Sequence, residues 1–327
     1  SHSHPYQEKE FKGVQLIHCK DPENKVGTVG QFVYDLNCIR DSRKRNFDIL
    51  LQLGYTSNSI WHRWLPKKSI IITNMDGLEW KRTKYSKKVR RFLKYAESLA
   101  VKSSDYLVAD SIGIQDHLME TYNASSTFIA YGSSLFEEED QLVLNEYQVA
   151  PFEYNMLIAR MEPENSIETI LDGVVASGTN TPFLVVGKYD TNKFGAYLKE
   201  KYQSHPTIRF MGGIYNFDHL NSLRYYSKLY FHGHTVGGTN PSLLEAMASN
   251  ALIVAHDNKF NKAILGKDAF YFTQTSNVSD IIQSVHTKTD HDAFLASNVE
   301  KIKTTYSWEI INNAYLDLME MAYAKNA

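Results

Sequence analysis

The chain has 327 residues, enough for two α/β domains with a core each, and 43% of them are apolar or aromatic. Its formal net charge of −2 gives no global attraction to nucleic acid. Two cysteines, Cys19 and Cys38, exclude a disulfide framework, and no apolar run reaches the roughly 18 residues of a membrane span.

With no signal-peptide pattern at its start, the chain is expected in the cytoplasm with reduced thiols, soluble or peripheral at the inner face of the plasma membrane. Ser1-His2-Ser3-His4-Pro5 reads as a tag or linker. Short β-branched runs then alternate with amphipathic stretches, the pattern of βα units and of parallel sheets buried on both faces. A first series predicts strands at 14–18, 47–53, 69–73, 106–109 and 127–130. A second predicts them at 155–159, 182–186, 207–211, 229–231, 251–255 and 269–272.

Between the series, residues 133–153 carry the acidic run Glu137-Glu138-Glu139-Asp140 and Pro151, a composition suited to a solvated connection. The expected organisation is a first domain over 6–135, a second over 150–305, and a terminal segment over 306–327 whose helix packs back toward the first domain. A first domain of this kind ordinarily opens with a strand, a glycine-rich turn and a helix. Here polar residues lead into the first strand, so that unit is expected to be missing.

The richest segment is His232 to Ala248. Gly237-Gly238 lets backbone approach a ligand, Thr239 or Asn240 can cap the following helix, and Pro241 suits its first turn. Amides near Ser242 and Leu243 would then face an anion such as a diphosphate. Glu245, one turn further on, is placed to accept ribose hydroxyl protons. A plain glycine turn before a helix with a solvent-facing Glu reads equally well from this segment alone.

Gly237-Gly238-Thr239-Asn240-Pro241-Ser242-Leu243-Leu244-Glu245-Ala246-Met247-Ala248, with Ala251-Leu252-Ile253-Val254-Ala255 behind it, resembles the donor-site signature of retaining GT-B glycosyltransferases of family 4. The resemblance implies two Rossmann-like domains with parallel sheets facing across a cleft. It also implies a nucleotide-sugar donor as substrate, no cofactor, no metal and retention of anomeric configuration. Most of that family has a Glu eight residues before Glu245, where it contacts hydroxyls of the donor sugar; this chain has Gly237. Gly-Gly-Thr-Asn-Pro there is most similar to bacterial polysaccharide rhamnosyltransferases, which implies L-rhamnose from dTDP-rhamnose and a saccharide or lipid-linked saccharide acceptor.

Arg160, in Ile158-Ala159-Arg160-Met161-Glu162-Pro163, resembles the family's diphosphate-binding arginine, a role suited to a permanently charged fork of donors. The family's lysine about six residues later is replaced by Asn165-Ser166, and Lys188 could restore the charge or be an ordinary surface lysine. Ile214 or Tyr215 follows the turn Gly212-Gly213, where the resemblance implies a border to the nucleobase. In Asn74-Met75-Asp76-Gly77-Leu78-Glu79-Trp80, Asp76 falls where the family tends to carry a cleft histidine. The resemblance therefore implies a contact of Asp76 to sugar or acceptor, the alternative being an Asp-Gly turn.

From Lys81 to Lys94 there are eight Lys or Arg and no acid, with Tyr85, Val89, Phe92, Leu93, Ala96, Leu99 and Ala100 on one helical face. A core-packed helix with a solvated side and a helix attracted to an anionic membrane surface are both consistent with this. Asp110 and Tyr131 end two strands on the expected cleft edge without an assigned role. His232 and His234 supply two ligands at most, so no metal is expected. Two rival functions remain, a nucleotide-sugar epimerase on the same scaffold and a catalytically inactive nucleotide-binding subunit.

Overall fold

The β-branched runs become strands where helices can cover both of their faces, and they form two all-parallel sheets. The computed structural model describes residues 1–2, 4–82 and 84–326. Ser3 of the opening segment, Thr83 of the basic stretch and Ala327 of the terminal segment lie outside the described residues. A hairpin of β1 (Glu10–Phe11) and β2 (Val14–Gln15) precedes α1 (Glu23–Val26) and α2 (Val29–Ser42). The expected strand over 14–18 is therefore shortened to β2, which pairs antiparallel with β1 outside the first sheet. Both residues of β2 are exposed, Val14 to 62%.

The first sheet holds β3 (Ile49–Gln52), β4 (Ile70–Asn74), β5 (Tyr106–Ala109) and β6 (Thr127–Phe128) side by side in chain order. Between them run α3 (Lys87–Ser103) and α4 (Ile112–Tyr122). In the connection that follows, the acidic residues 137–140 are exposed, but α5 (Val143–Glu146) buries Val143 and Leu144. The connection is thus partly a core element rather than solvated throughout.

The second sheet draws on β7 (Asn155–Ile158), α6 (Ile167–Ala176), β8 (Phe183–Val186), α7 (Lys193–Lys201), β9 (Ile208–Gly212) and α8 (Phe217–Tyr225). It continues through β10 (Leu229–His232), α9 (Pro241–Ala248), β11 (Ile253–His256), α10 (Lys259–Leu265), β12 (Phe270–Phe272) and α11 (Thr275–Ser284). The chain closes with α12 (Asp292–Thr304) and α13 (Trp308–Asn326). The spatial order β12-β11-β10-β7-β8-β9 reverses direction between β7 and β10. In open α/β sheets, that reversal leaves a crevice at the carboxyl ends of the two strands where ligands bind.

Side chains leave each second-sheet strand alternately. Leu157, Val185, Phe231 and Val254 meet Ile170, Leu171 and Val278 of the covering helices on one side. Met156, Leu184, Tyr230 and Ile253 pack with Leu243 and Met247 of α9 on the other. This second cluster continues into Ile72, Val108 and Ile129 of the first sheet and Ile311, Leu318 and Ala322 of α13. Each such side chain contributes about 1.5–3 kcal/mol when fully buried, so one apolar cluster ties both sheets together. Polar ties add to it: Asn74 donates to the Tyr315 hydroxyl at 3.0 Å, and the Ser133 amide donates to the Tyr306 carbonyl at 2.7 Å.

The basic segment is not one helix from Lys81 to Lys94. The helix begins at Lys87, with Ser86 as its cap, and Tyr85 lies outside it. Its buried face is Leu93, Ala96, Glu97, Leu99 and Ala100, while Val89 faces solvent. Five of the eight basic side chains are engaged within the protein. Lys81 and Lys94 lie over the Trp80 ring, Arg82 pairs with Glu79, Lys84 with Glu162, and Arg90 donates to the Trp80 carbonyl.

What organises this region is a buried acid, Glu97. Its carboxylate accepts from Trp80 Nε1 at 2.9 Å, His117 Nε2 at 2.9 Å and the Tyr122 hydroxyl at 2.8 Å. Burial opposes its charge, but the hydrogen bonds from His117 and Tyr122 prevail and hold its pKa below the ordinary carboxylate value. Beside it the Tyr55 hydroxyl donates to the carbonyl of Gly77, so the hub fixes the loop that follows Asp76. Replacing Glu97 by Ala leaves three partly buried donors, those of Trp80, His117 and Tyr122, without their acceptor, at about 1–3 kcal/mol each when unpaired. The expected loss in urea denaturation is about 3 kcal/mol or more; a loss below about 1 kcal/mol would show that the hub does not hold the loop.

Candidate active-site cleft

The carboxyl edges of the two sheets face each other around a cavity of about 760 Å³. From the second sheet, Arg160 follows β7, Lys188 follows β8, Ile214 and Tyr215 follow β9, and the glycine-rich loop follows β10. From the first sheet, Asp76 follows β4, Asp110 follows β5 and Tyr131 follows β6. The structure thus gathers Asp76, Arg160, Lys188, Ile214, Tyr215, Gly237, Gly238, Thr239, Asn240, Ser242 and Glu245 around one cavity.

Leu243 is the exception. Its side chain is fully buried in the core under α9, and its amide donates to the Asn240 carbonyl at 3.0 Å. The Ser242 amide is likewise taken by the Asn240 side chain at 2.9 Å. The expectation that these two amides face an anion is therefore corrected, because Asn240 caps the helix and engages both. Gly237, with φ +139°, adopts a backbone conformation that only glycine tolerates readily. Thr239 is not the cap either; its hydroxyl crosses the cleft to the Asp110 carbonyl.

Glu245 has a partner the sequence did not reveal. Arg224 of α8, almost fully buried, donates to Glu245 Oε2 at 2.5 Å, to Asn221 Oδ1 at 2.8 Å and to Ser242 Oγ at 3.3 Å. The Tyr230 hydroxyl stands 3.0 Å from the same Ser242 oxygen. With Oε2 tied to Arg224, the Glu245 carboxylate is oriented before any ligand arrives, and Oε1 is left for a hydroxyl. Nothing in the local sequence marks Arg224, because its burial comes from α8 packing under α9.

Charge divides the cavity into two halves. Arg82, Arg160 and Lys188 supply cations, and Lys188 lies 5.4 Å from the centre of the exposed Tyr215 ring. His234 joins this half, stacked on His232 with ring centres 4.4 Å apart. Burial, reinforced by Arg160 and Arg82, lowers its pKa to about 4, so the ring is neutral at pH 7 and keeps one N–H to donate. Glu162 stays ionised: burial raises its pKa, but Arg160 and Lys84 outweigh that.

The opposite half is acidic and phenolic. Asp76 accepts from the Tyr131 hydroxyl at 3.1 Å. Asp110 is 2% exposed, and its Oδ1 has no hydrogen-bond partner. Burial, with Asp76 adding to it, pushes the Asp110 carboxyl up to about 8. The sequence placed Asp110 and Tyr131 on this edge but could not show that two carboxyl groups meet there.

Residues 2–134 match a family described as a domain of unknown function, DUF1972. No curated protein matches the chain. Among solved structures the chain is similar to HepE from Anabaena, described in complex with UDP and glucose. The TM-score is 0.73 at 13% identity, over 90% of this chain and 83% of that one. It is also similar to sucrose-phosphate synthase from Thermosynechococcus elongatus, with TM-score 0.77 at 13% identity over 98% and 87% of the two chains. A glycosyltransferase from Rickettsia africae gives TM-score 0.70 at 15% identity over 94% and 84%. Likeness at this identity establishes the fold, which is GT-B.

The raised pKa of Asp110 makes a stability prediction. Below about pH 3 the carboxyl is largely protonated in folded and unfolded chains alike, so Asp110→Asn and the wild type are expected to melt together. As pH climbs toward about 8 the unfolded chain ionises before the folded one. The wild type then loses stability that Asp110→Asn retains, and Tm scans across this window should diverge. A constant offset at every pH would mean that Asp110 titrates normally.

Proposed function

We propose that this GT-B chain is a glycosyltransferase that moves a sugar from a nucleotide-sugar donor to a saccharide or lipid-linked saccharide hydroxyl. The observation that carries this reading is the convergence of Arg160, Lys188, the Gly237-Gly238 loop and the Arg224-oriented Glu245 at the switch point between β7 and β10. Glycosyltransferase relatives in fold, among them one described with UDP and glucose, support it.

In this reading the diphosphate lies in the cationic half. Arg160 and Lys188, with Arg82 and the His234 N–H, meet the charge that develops as the sugar–oxygen bond breaks. That arrangement lets protein cations do what a metal would otherwise do for the leaving group. Glu245 Oε1 accepts from the ribose, Ile214 or Tyr215 borders the base, and Asp76 orients sugar or acceptor. The Gly237-Gly238 amides stand where most family-4 enzymes place a carboxylate on the sugar. This favours a deoxysugar, with L-rhamnose from dTDP-rhamnose as the donor. Retention by same-face attack, with a donor phosphate oxygen taking the acceptor proton, follows from the same resemblance, as does a place in surface polysaccharide synthesis.

A membrane-borne acceptor would give α3 a task. Lys87, Lys88 and Arg91 are exposed beside Val89 and Tyr95 on a helix whose neighbouring Arg90 and Lys94 are engaged with Trp80. At about 1 kcal/mol per basic residue near an anionic surface, the three supply modest, reversible attachment. Binding to phosphatidylserine vesicles is expected to fall about a hundredfold on neutralising all three charges to Gln. Equal co-sedimentation of variant and wild type would remove the membrane from the proposal.

The donor site itself is tested by thermal shift. UDP or dTDP at a hundred times Kd should raise Tm by about 4 °C. Arg160→Ala, an exposed position, is expected to weaken binding about tenfold or more through loss of charged hydrogen bonds. Glu245→Gln is the better second variant, because Ala would leave buried Arg224 unpaired. Transfer of the labelled sugar separates the enzyme from its rivals. An epimerase would release a new free sugar nucleotide, and an inactive subunit would bind without turnover. No response to any nucleoside diphosphate would sink the glycosyltransferase reading.

A further inference from the structure

Position 237 is glycine where most of the resembling family carries a carboxylate for the sugar, yet the cleft does not lack a carboxyl group there. Asp110 reaches the same loop from the opposite sheet. Its carboxyl fills the space that a side chain on Gly238 would occupy, so that any Cβ at 238 would overlap both of its oxygens. The Thr239 hydroxyl holds the Asp110 carbonyl, which fixes the acid against the glycine pair. Asp110 lines the cavity, is 2% exposed, and leaves Oδ1 without a partner.

The surroundings indicate what kind of ligand group this carboxyl meets. Asp76 from the end of β4, Tyr131 from the end of β6 and Tyr315 from α13 are the titratable groups around it. Among the described residues, neither Asp76 nor Asp110 has an ion-pair partner. A half-cavity of two carboxyls and phenols repels a diphosphate, which the Arg82, Arg160 and Lys188 half attracts. It suits a neutral, hydroxyl-rich group.

We propose that Asp110 is a sugar-binding and specificity-determining residue, supplying from across the cleft the carboxyl contact to a donor-sugar hydroxyl that the Gly237-Gly238 loop lacks. The assignment rests on the donor-site reading above and deepens it. In its neutral form Asp110 donates its proton to a sugar oxygen, while Asp76, held by Tyr131, accepts from a neighbouring hydroxyl. The contact belongs to the sugar and not to the nucleotide, so it separates sugar nucleotide from bare nucleoside diphosphate.

The experiment is titration calorimetry of UDP against UDP-glucose and of dTDP against dTDP-rhamnose, on wild type, Asp110→Asn and Asp110→Ala between pH 7 and 9.5. The bare diphosphates are expected to bind all three proteins alike. For the sugar nucleotide that gains affinity over its diphosphate, the gain should persist in Asp110→Asn, which keeps a donor and an acceptor. It should fall about tenfold in Asp110→Ala. In the wild type it should decline as pH passes about 8, whereas in Asp110→Asn it should stay level. Because Asp110→Asn keeps the shape of the side chain, it guards against misfolding of the Ala variant. An equal gain in Asp110→Ala and wild type, a gain flat with pH in the wild type, or no gain with either sugar overturns the assignment while leaving the donor site standing. Failure of the wild type to bind any diphosphate overturns both.

Discussion

The packing of Gly238 against the Asp110 carboxyl, with Thr239 bound to the Asp110 carbonyl, is the constraint on which the cleft depends. It requires glycine at 238, where any Cβ would overlap the Asp110 carboxyl. It also sets how near the cationic and acidic halves of the cavity lie. Because the closure buries a carboxyl group with no cation to pair it, the uncharged form is favoured and the closed cleft becomes sensitive to pH.

Around that contact the protein uses two buried charges as positioning devices. Arg224 lies beneath α9 and orients Glu245, while Glu97 lies beneath the turn after Asp76 and gathers Trp80, His117 and Tyr122. Arg224 binds Glu245 of the cleft directly, while Glu97 holds the turn through Trp80 and the neighbouring Tyr55. Breaking such a pair from one side is costly because the other member is left buried without compensation. The cleft-lining groups are therefore held before binding, as the proposed alignment of donor and acceptor would require.

The electrostatic division of the cavity follows from topology. The second sheet reverses order between β7 and β10, so Arg160 and the glycine loop emerge side by side. The first sheet presents Asp76, Asp110 and Tyr131 from three successive strands. The donor proposed above, with a charged diphosphate and a neutral sugar, matches a cavity that is cationic at one end and acidic at the other. Ordinary sequence features produce this match, namely single residues at the carboxyl ends of parallel strands.

Much of this was set by the sequence alone. Strand runs such as Phe183-Leu184-Val185-Val186 are apolar throughout because both faces of a parallel sheet are covered, and that pattern needs no tertiary information to recognise. Asn240-Pro241 announced the start of α9 through local capping chemistry. Val14 to His18 misled because a β-branched run forms a sheet strand only if something covers it. The basic stretch misled because cation contacts with Trp80, Glu79 and Glu162 are made by residues that the sequence cannot place. Tertiary structure alone decided that Arg224 meets Glu245 and that Asp110 meets Gly238. Each pairing joins positions remote in the chain, and burial gives a charge its partner and its pKa only once the sheets have packed.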